Sequence, residues 1–146
     1  MKIYRISQNN VLFHGSDSEQ FEGDIRINER DSGWFGSGFY LTAYPEYAKR
    51  WGKYTYQVAY PTAKMAEVNV QGNYDKITFV GEAENANQQA GGNNAWITNE
   101  SLWSQNFVKA LQSMGYGGIR TNMNGQIDVE VVIFDPSAIQ ILGRIN

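Results

Sequence analysis

The sequence predicts an α+β protein whose strands pair mostly in the antiparallel sense, and three observations lead to this class. About eight short segments rich in β-branched and aromatic residues are separated by turn formers. Only two or three segments repeat apolar residues at helical spacing. The 146 residues, 42% hydrophobic and 14% aromatic, suffice for one buried core, so we expect a single domain over residues 1–146.

The first half of the chain carries most of the expected strands. A polar turn separates the first two, and residues 54–60 alternate bulky and polar side chains, which is typical of a strand with one buried face. Pro45 suits the first turn of a short helix that reaches Trp51 and stops at Gly52. Residues 15–33 mix charges with glycines and predict a loop. The strands expected here are 2–6, 11–14, 39–42, 54–60 and 66–70.

The second half contains the clearest helix. Over about residues 101–114 apolar side chains recur at spacings of three and four, and Gly115 ends the pattern. Residues 81–99, rich in Asn, Gln, Ala and Gly, offer little apolar surface to offset the entropy of ordering and predict a mobile surface loop. The remaining expected strands are 119–121, 129–135 and 138–142, with turns at 122–125 and 135–137.

Composition excludes several classes of function. A net charge of −3 argues against a protein that coats nucleic acid or an anionic membrane, since both need dense basic patches. With no cysteine and one histidine, we expect neither a disulfide nor a metal site. No apolar stretch approaches the ~20 residues of a membrane helix, and the opening residues lack a signal-peptide hydrophobic region, so the cytoplasm is the expected location.

Glu130 is the first chemical anomaly. It lies within residues 127–134, a run apolar enough for a central strand, where an unpaired carboxylate is costly to bury. Either this charge has a function, or alternation points Glu130 at solvent or at an arginine partner. Asp128 stands two residues earlier, and the period of two predicts both acids on one face of the strand.

His14 and Tyr40 are the other two anomalies. His14, the only histidine, ends an apolar strand directly before Gly15, where a backbone can approach a ligand closely. A lone histidine is also common as a structural residue. Residues 36–40 place two glycines before an aromatic strand, which an ordinary turn with Tyr40 in the core would also explain. The pattern is not a Rossmann fingerprint, because the third glycine and the following helix are missing.

Taken in order, these segments resemble the histidine-tyrosine-glutamate branch of the ADP-ribosyltransferases, the branch of diphtheria toxin and the poly-ADP-ribose polymerases. Residues 12–16 are similar to the family's His-Gly strand, and residues 36–42 to its glycine-x-glycine-x-tyrosine strand. Residues 115–119, followed by residues 130–136, resemble its closing segments, in which the glutamate starts the catalytic strand. Trp51 stands eleven residues after Tyr40, at the family's spacing to a second aromatic residue.

The resemblance implies the ADP-ribosyltransferase fold, a split antiparallel β-sandwich with NAD in the cleft and two or three helices. His14 would bond ribose hydroxyl groups of NAD, and the backbone of Gly15 would bond the nicotinamide carboxamide. Tyr40 and Trp51 would sandwich the nicotinamide ring, a contact worth roughly 1 kcal/mol beyond its buried area. Tyr47 or Tyr54 could replace Trp51, since the family usually has Tyr there. Ser16 and Ala48 would complete the NAD contacts.

Glu130 would then be the central catalytic residue. By the resemblance it would accept a hydrogen bond from the 2'-hydroxyl of the nicotinamide ribose and stabilise the oxocarbenium-like transition state. Asp128 takes the place where other branches carry Glu or Gln for acceptor recognition, and because Asp is shorter, the acceptor chemistry stays open. Asn124 and Gln126, in the loop of residues 120–126, are further candidates for acceptor recognition.

The leading hypothesis is a mono-ADP-ribosyltransferase that moves ADP-ribose from NAD, its substrate, to a macromolecule. A protein is the expected acceptor, because no basic groove favours nucleic acid. The small size fits a bacterial or phage toxin or effector, acting in its own or a target cell's cytoplasm, with an antitoxin or immunity protein as a conceivable partner. The alternatives are an NAD glycohydrolase and a non-catalytic module that kept the fold.

Overall fold

The computed structural model describes residues 11–17, 35, 38–60, 64–72, 76–92, 100–135, 137 and 139–145. The expected first strand, at residues 2–6, and most of the expected loop at 15–33 lie outside these ranges. Along the described chain the elements are β1 Val11–Ser16, β2 Phe39–Leu41, α1 Pro45–Ala48, β3 Tyr54–Ala59, β4 Met65–Gln71, β5 Lys76–Phe79, α2 Ala83–Gln89, α3 Glu100–Ser113, β6 Gly118–Met123, β7 Gln126–Ile133 and β8 Gln140–Arg144.

The strands form two sheets. The smaller sheet has the order β1-β3-β8 and is antiparallel throughout. The larger has the order β2-β7-β6-β4-β5, in which β4 and β6 are parallel and the other pairs are antiparallel. The predicted α+β class with mostly antiparallel pairing is therefore confirmed.

One bridge joins the sheets at Phe13 and Thr42. The N–H of Phe13 donates to the carbonyl of Thr42 at 2.8 Å, and the N–H of Thr42 donates back at 2.9 Å. Thr42 directly follows β2, and the next residue, Ala43, donates its N–H to the carbonyl of Asp128 in β7. The two sheets thus meet at the end of β2.

Two apolar clusters flank the larger sheet. One lies between the sheets and includes Leu12 and Val58 from the smaller sheet, with Leu41, Val131 and Ile133 from the larger. The other lies beneath the helices and contains Tyr40, Val68, Ile119, Val132 and Leu111, among others. Side chains of β7 therefore alternate between the two clusters, with Val131 and Ile133 on one face and Val132 on the other.

Residues 81–92 depart from the sequence-based expectation of a loop at 81–99, and the remainder of that expected loop lies outside the described residues. The described part contains α2, which packs against α3, and Ala83, Ala86 and Ala90 are buried with Asn87. Alanine has the highest helix propensity and loses no side-chain entropy, so a narrow alanine stripe suffices where a neighbouring helix covers it. The segment looked polar because its buried side chains are small.

Other boundaries differ less. β5 was not expected, α1 ends at Ala48 rather than reaching Trp51, and both faces of the central strand β3 are largely buried. The predicted stop at Gly115 is confirmed: its φ is +88°, and the N–H of Tyr116 bonds the carbonyl of Leu111 in a Schellman arrangement. No helix of the described chain is long and apolar enough to cross a membrane.

Candidate functional site

Glu130 lies in β7 directly before the residues that pair with β2. β2 pairs with β7 from Phe39 opposite Ile133 to Leu41 opposite Val131. The next residue of that chain, Thr42, bonds Phe13 of β1, and the N–H of Ala43 then donates to the carbonyl of Asp128 at 2.8 Å. The Glu130 side chain is 4% exposed. The carboxylate is thus buried where the regular pairing of β2 with β7 ends.

A β-bulge precedes Glu130 on the other side, against β6. Arg120 pairs with Val131, but Asn122 pairs with Ile127, so β7 carries two more residues than β6 across this interval. Asp128, within the interval, has a φ of +62°, in the left-handed region that non-glycine residues rarely adopt. The bulge therefore interrupts the regular alternation of side chains in β7.

The hydroxyl of Thr121 bonds the backbone of Glu130 in both directions. Thr121 Oγ1 donates to the carbonyl oxygen of Glu130 at 2.7 Å and accepts from its N–H at 3.0 Å. Thr121 is 1% exposed, so water does not compete for these bonds. One side chain thus satisfies both backbone groups of Glu130.

The carboxylate of Glu130 is poorly compensated. Its Oε2 atom is buried and has no hydrogen-bond partner among the described residues. Desolvation by burial raises the pKa of Glu130 to about 7, and the positive charge of Arg50 opposes that rise. Near neutral pH this group therefore exists in both its protonated and ionised forms.

His14 is held on β1 by the backbone of Tyr40. Its Nδ1 lies 2.7 Å from the carbonyl oxygen of Tyr40, and its ring stacks on Phe39 with centroids 4.0 Å apart. Because a carbonyl can only accept, Nδ1 carries the hydrogen of this bond. In the neutral ring Nε2 is then an acceptor, which fixes the tautomer that a ligand would meet.

Trp51 brings the candidate aromatic residues together. Its ring centroid lies 6.2 Å from that of Tyr40 at an interplanar angle of 66°, and 6.5 Å from that of His14. Tyr47 contacts Trp51 edge-on at 5.4 Å, and the guanidinium of Arg50 lies 4.7 Å from the Tyr47 ring centroid. The Tyr40 and Trp51 rings are not parallel, so a third ring enters between them only if one of them rotates.

Two glycines allow the α1 segment to lie against β1. A Cβ on Gly15 would be 1.8 Å from the carbonyl oxygen of Ala48, and a Cβ on Gly52 would be 2.3 Å from the backbone carbon of Ser16. Neither distance is possible for real atoms. The close approach expected at Gly15 is therefore made by the end of α1, and it places Trp51 beside His14.

Asp128 does not share the face of Glu130, so that prediction was wrong. Both oxygens of Asp128 bond Arg120, at 3.0 and 2.8 Å, and Arg120 lies opposite Val131, on the face between the sheets. The charge that acts on the Glu130 carboxylate is that of Arg50, and Asp128 does not contribute to it. The bulge is the reason, because its extra residues break the period of two.

The other two acceptor-recognition candidates lie at the tip of the β6–β7 hairpin. Asn124 and Gly125 form a two-residue turn with φ of +53° and +89°. The Asn124 amide bonds the N–H and the carbonyl of Gly72, at 2.9 and 3.0 Å, so it ties two turns together. Gln126 is exposed at the start of β7. Asn124 and Gln126 thus lie on the other side of the bulge from the regular β6–β7 pairs at Val131–Ile133.

Two residues near Glu130 escaped the sequence-based search. Arg50 is the cation that acts on the Glu130 carboxylate, and Thr121 bonds its backbone. Of the two, Thr121 alone could have been found from the sequence, because it is a polar residue in a predicted strand directly before the predicted turn at 122–125. No group of three or more potential metal ligands comes together within the described ranges.

Comparison with known proteins gave one structural likeness. No protein-family model matches the chain, and neither does any curated protein. Among solved structures, the crystal structure of an anti-CRISPR protein matches 92% of this chain and 94% of its own, at 19% sequence identity and a TM-score of 0.46. A likeness of this degree supports no conclusion about activity.

Proposed function

We propose that this chain is an NAD-dependent mono-ADP-ribosyltransferase with the ADP-ribosyltransferase fold, and that its acceptor is a protein. NAD would be cleaved between the nicotinamide and its ribose, and the ADP-ribose unit would pass to a nucleophile of the acceptor. The family resemblance of residues 12–16, 36–42 and 130–136 motivates the proposal.

One observation carries the proposal: the buried Oε2 of Glu130, where the regular pairing of β2 with β7 ends, has no hydrogen-bond partner within the described ranges. Burying a carboxylate without a partner costs several kcal/mol, roughly 3–5 when one partner of a buried pair is missing. A substrate hydroxyl group that donates to this oxygen would remove the defect. The 2'-hydroxyl of the nicotinamide ribose is such a donor.

The chemistry follows from the charge. As the bond from the ribose C1' to the nicotinamide nitrogen breaks, its electron pair leaves with nicotinamide, which becomes neutral, and positive charge develops on the ribose. A fixed carboxylate in a water-poor site stabilises that charge more than water would. The acceptor nucleophile then bonds C1' and loses its proton. Glu130 must be ionised throughout.

His14 and the aromatic residues would bind rather than react. With its Nδ1–H bonded to Tyr40, the neutral ring of His14 would accept from a ribose hydroxyl group through Nε2. Tyr40 and Trp51 offer ring faces and edges to nicotinamide once one ring has rotated. Arg50, exposed beside Tyr47, supplies positive charge at the rim of this group.

The test is release of nicotinamide from NAD by the purified protein, comparing wild type with Glu130→Gln. We expect the substitution to lower the rate by about 100-fold or more, about 3 kcal/mol of transition-state stabilisation. Glu67→Gln, an exposed glutamate in β4, is the matched control and should leave the rate unchanged. In the wild type kcat/KM should rise with pH, with a midpoint near 7, because only ionised Glu130 is active.

Two outcomes contradict the proposal: no nicotinamide release by the wild type, or equal rates for wild type and Glu130→Gln. Mass spectrometry of a cell extract incubated with the protein and NAD identifies the acceptor. An adduct of one ADP-ribose unit on a protein is the expected result. Nicotinamide release without any adduct would show hydrolysis and overturn the transferase assignment.

A further inference from the structure

Glu130 lies inside the bulge of β7, in the interval where the register between β6 and β7 shifts. Continuing the register from Arg120 and Val131 would set Thr121 opposite Glu130. The backbone groups of Glu130 instead bond the hydroxyl of Thr121, at 2.7 and 3.0 Å. The Thr121 side chain therefore bonds the backbone groups of Glu130 at a position where a regular strand pair would use backbone bonds.

Further contacts fix the same interval from other directions. Asp128 is held on the opposite face by Arg120, and its carbonyl accepts from the N–H of Ala43 at 2.8 Å. These contacts anchor residue 128, while the contacts of residue 130 given by the structure are those with Thr121. Loss of the Thr121 hydroxyl would thus remove one bond each from a buried N–H and a buried carbonyl of Glu130, and we expect the backbone to shift in response.

We infer that Thr121 is a positioning residue, whose hydroxyl fixes the backbone of Glu130 and thereby the place of its buried carboxylate. The inference rests on the proposed function for its catalytic consequence, although the positioning itself can be measured without NAD. Small displacements matter for such a group, because a shift of about 1 Å can cost on the order of 100-fold in rate.

The charged groups around Glu130 allow a clear readout. Arg50, after α1, is the charge that acts on the carboxylate, while Asp128 and Arg120 neutralise each other on the opposite face. The pKa of Glu130 is raised by desolvation, so it reports how deeply the carboxylate is buried. A carboxylate that moves toward water must show a lower pKa.

The experiment compares wild type, Thr121→Val and Thr121→Ser. Val keeps the shape of Thr without the hydroxyl, and Ser keeps the hydroxyl. ¹³C NMR titration of glutamate side chains, with Glu130→Gln to assign the signal, gives the pKa of Glu130. We expect it to fall by about one unit in Thr121→Val and to stay at the wild-type value in Thr121→Ser.

Activity supplies the second readout. For nicotinamide release we expect Thr121→Val to lower kcat about tenfold with KM for NAD nearly unchanged, and Thr121→Ser to keep most of the rate. Val70→Ala, a core truncation in β4, is the control for lost stability and should keep the wild-type kcat and Glu130 pKa. An unchanged pKa of Glu130 in folded Thr121→Val would overturn the inference.

The two failures can be told apart. If the wild type releases no nicotinamide, the proposed function fails while the NMR titration still decides the positioning. If the wild type is active but Thr121→Val has the same kcat and the same Glu130 pKa, only the role of Thr121 fails. If Thr121→Val does not fold, Thr121→Ser decides, and a changed Glu130 pKa in that variant would contradict the inference.

Discussion

Residues Val131–Ile133 of β7 pair regularly on both sides, with β2 and β6. The residues before them meet β6 through a bulge, and on the other side Asp128 accepts from the N–H of Ala43. The first region contains only apolar side chains, and every one is buried. The second contains Asp128 and Glu130, one with an ion-pair partner and one whose Oε2 has none among the described residues. Eight consecutive residues thus combine a rigid core strand with an unsatisfied acid.

The difference between the two regions shows how a stable sheet can hold a costly group. Regular pairing at Val131–Ile133 fixes the strand between two apolar clusters, and this packing offsets the cost of Glu130 next to it. Where regular pairing ends on one side and slips on the other, the carboxylate is buried with no partner for its Oε2 in the part of the chain that the structure describes. The following variants test this division.

The largest effect is expected from placing an acid in the regular region. Val132→Glu would bury a carboxylate beneath the helices, beside Ile119, where no gap in pairing exists. We expect the free energy of unfolding at pH 8 to fall by about 4 kcal/mol relative to Val132→Gln, which has the same shape without the charge. Urea denaturation measures the difference. Equal midpoints for the two variants at pH 8 would remove the distinction between the regions.

A smaller effect of opposite sign is expected at Glu130. Its pKa is about 7 when folded and near 4.5 when unfolded, so the folded state prefers the proton. The contribution of protonated Glu130 to the free energy of unfolding is then complete below pH 4.5, and it is lost as the pH rises from 4.5 through 7. Glu130→Gln avoids this loss, and we expect it to exceed the wild type at pH 8 by about 3 kcal/mol more than at pH 4.

Thermal and urea unfolding of both proteins at the two pH values give the comparison. Glu67→Gln, with its exposed side chain, should show no such dependence on pH. A wild type that is more stable than Glu130→Gln at pH 8 would mean that the Glu130 carboxylate has a favourable partner. That result would contradict the burial of Oε2 without a hydrogen-bond partner among the described residues.

The smallest effect is expected at the ion pair of the bulge. The Asp128 side chain is 11% exposed and that of Arg120 is 45% exposed, so water screens the pair only in part. We expect Arg120→Gln to lower the unfolding free energy by about 1 kcal/mol. Lys64→Gln, which breaks the exposed Lys64–Glu82 pair at 3.4 Å, is the control and should cost less than about 0.5 kcal/mol. Equal losses would show that burial of Asp128 adds nothing.

Much of the fold could be predicted because its signals are local. β1, β2 and β4 follow runs of apolar and aromatic residues, and α3 follows an apolar stripe with a glycine stop. α2 was not predicted because its buried side chains are two alanines and Asn87, which do not form a recognisable stripe of large apolar residues. The burial of α2 follows from its packing against α3, which only the folded protein shows.

The candidate site divides in the same way. Glu130 was identified as an acid in an apolar strand, and it is buried without a partner for Oε2 in the described chain. The shared face with Asp128 was predicted from a period of two, which holds only in a regular strand. A bulge depends on the register of two strands and on a left-handed residue, and Asp128 shows neither in its sequence context.

By itself, the sequence determined the class of the fold, most of the strands, the last helix and the unusual polar residues His14, Tyr40 and Glu130. Only the tertiary structure decided that Thr42 joins β1 to the chain after β2, that Asp128 bonds Arg120, and that Thr121 holds Glu130. The physical reason is the distance along the chain between the residues that interact. Side-chain periodicity is set by neighbours along the chain, whereas register, burial and the pKa of a carboxylate are set by distant segments that meet only in the folded protein.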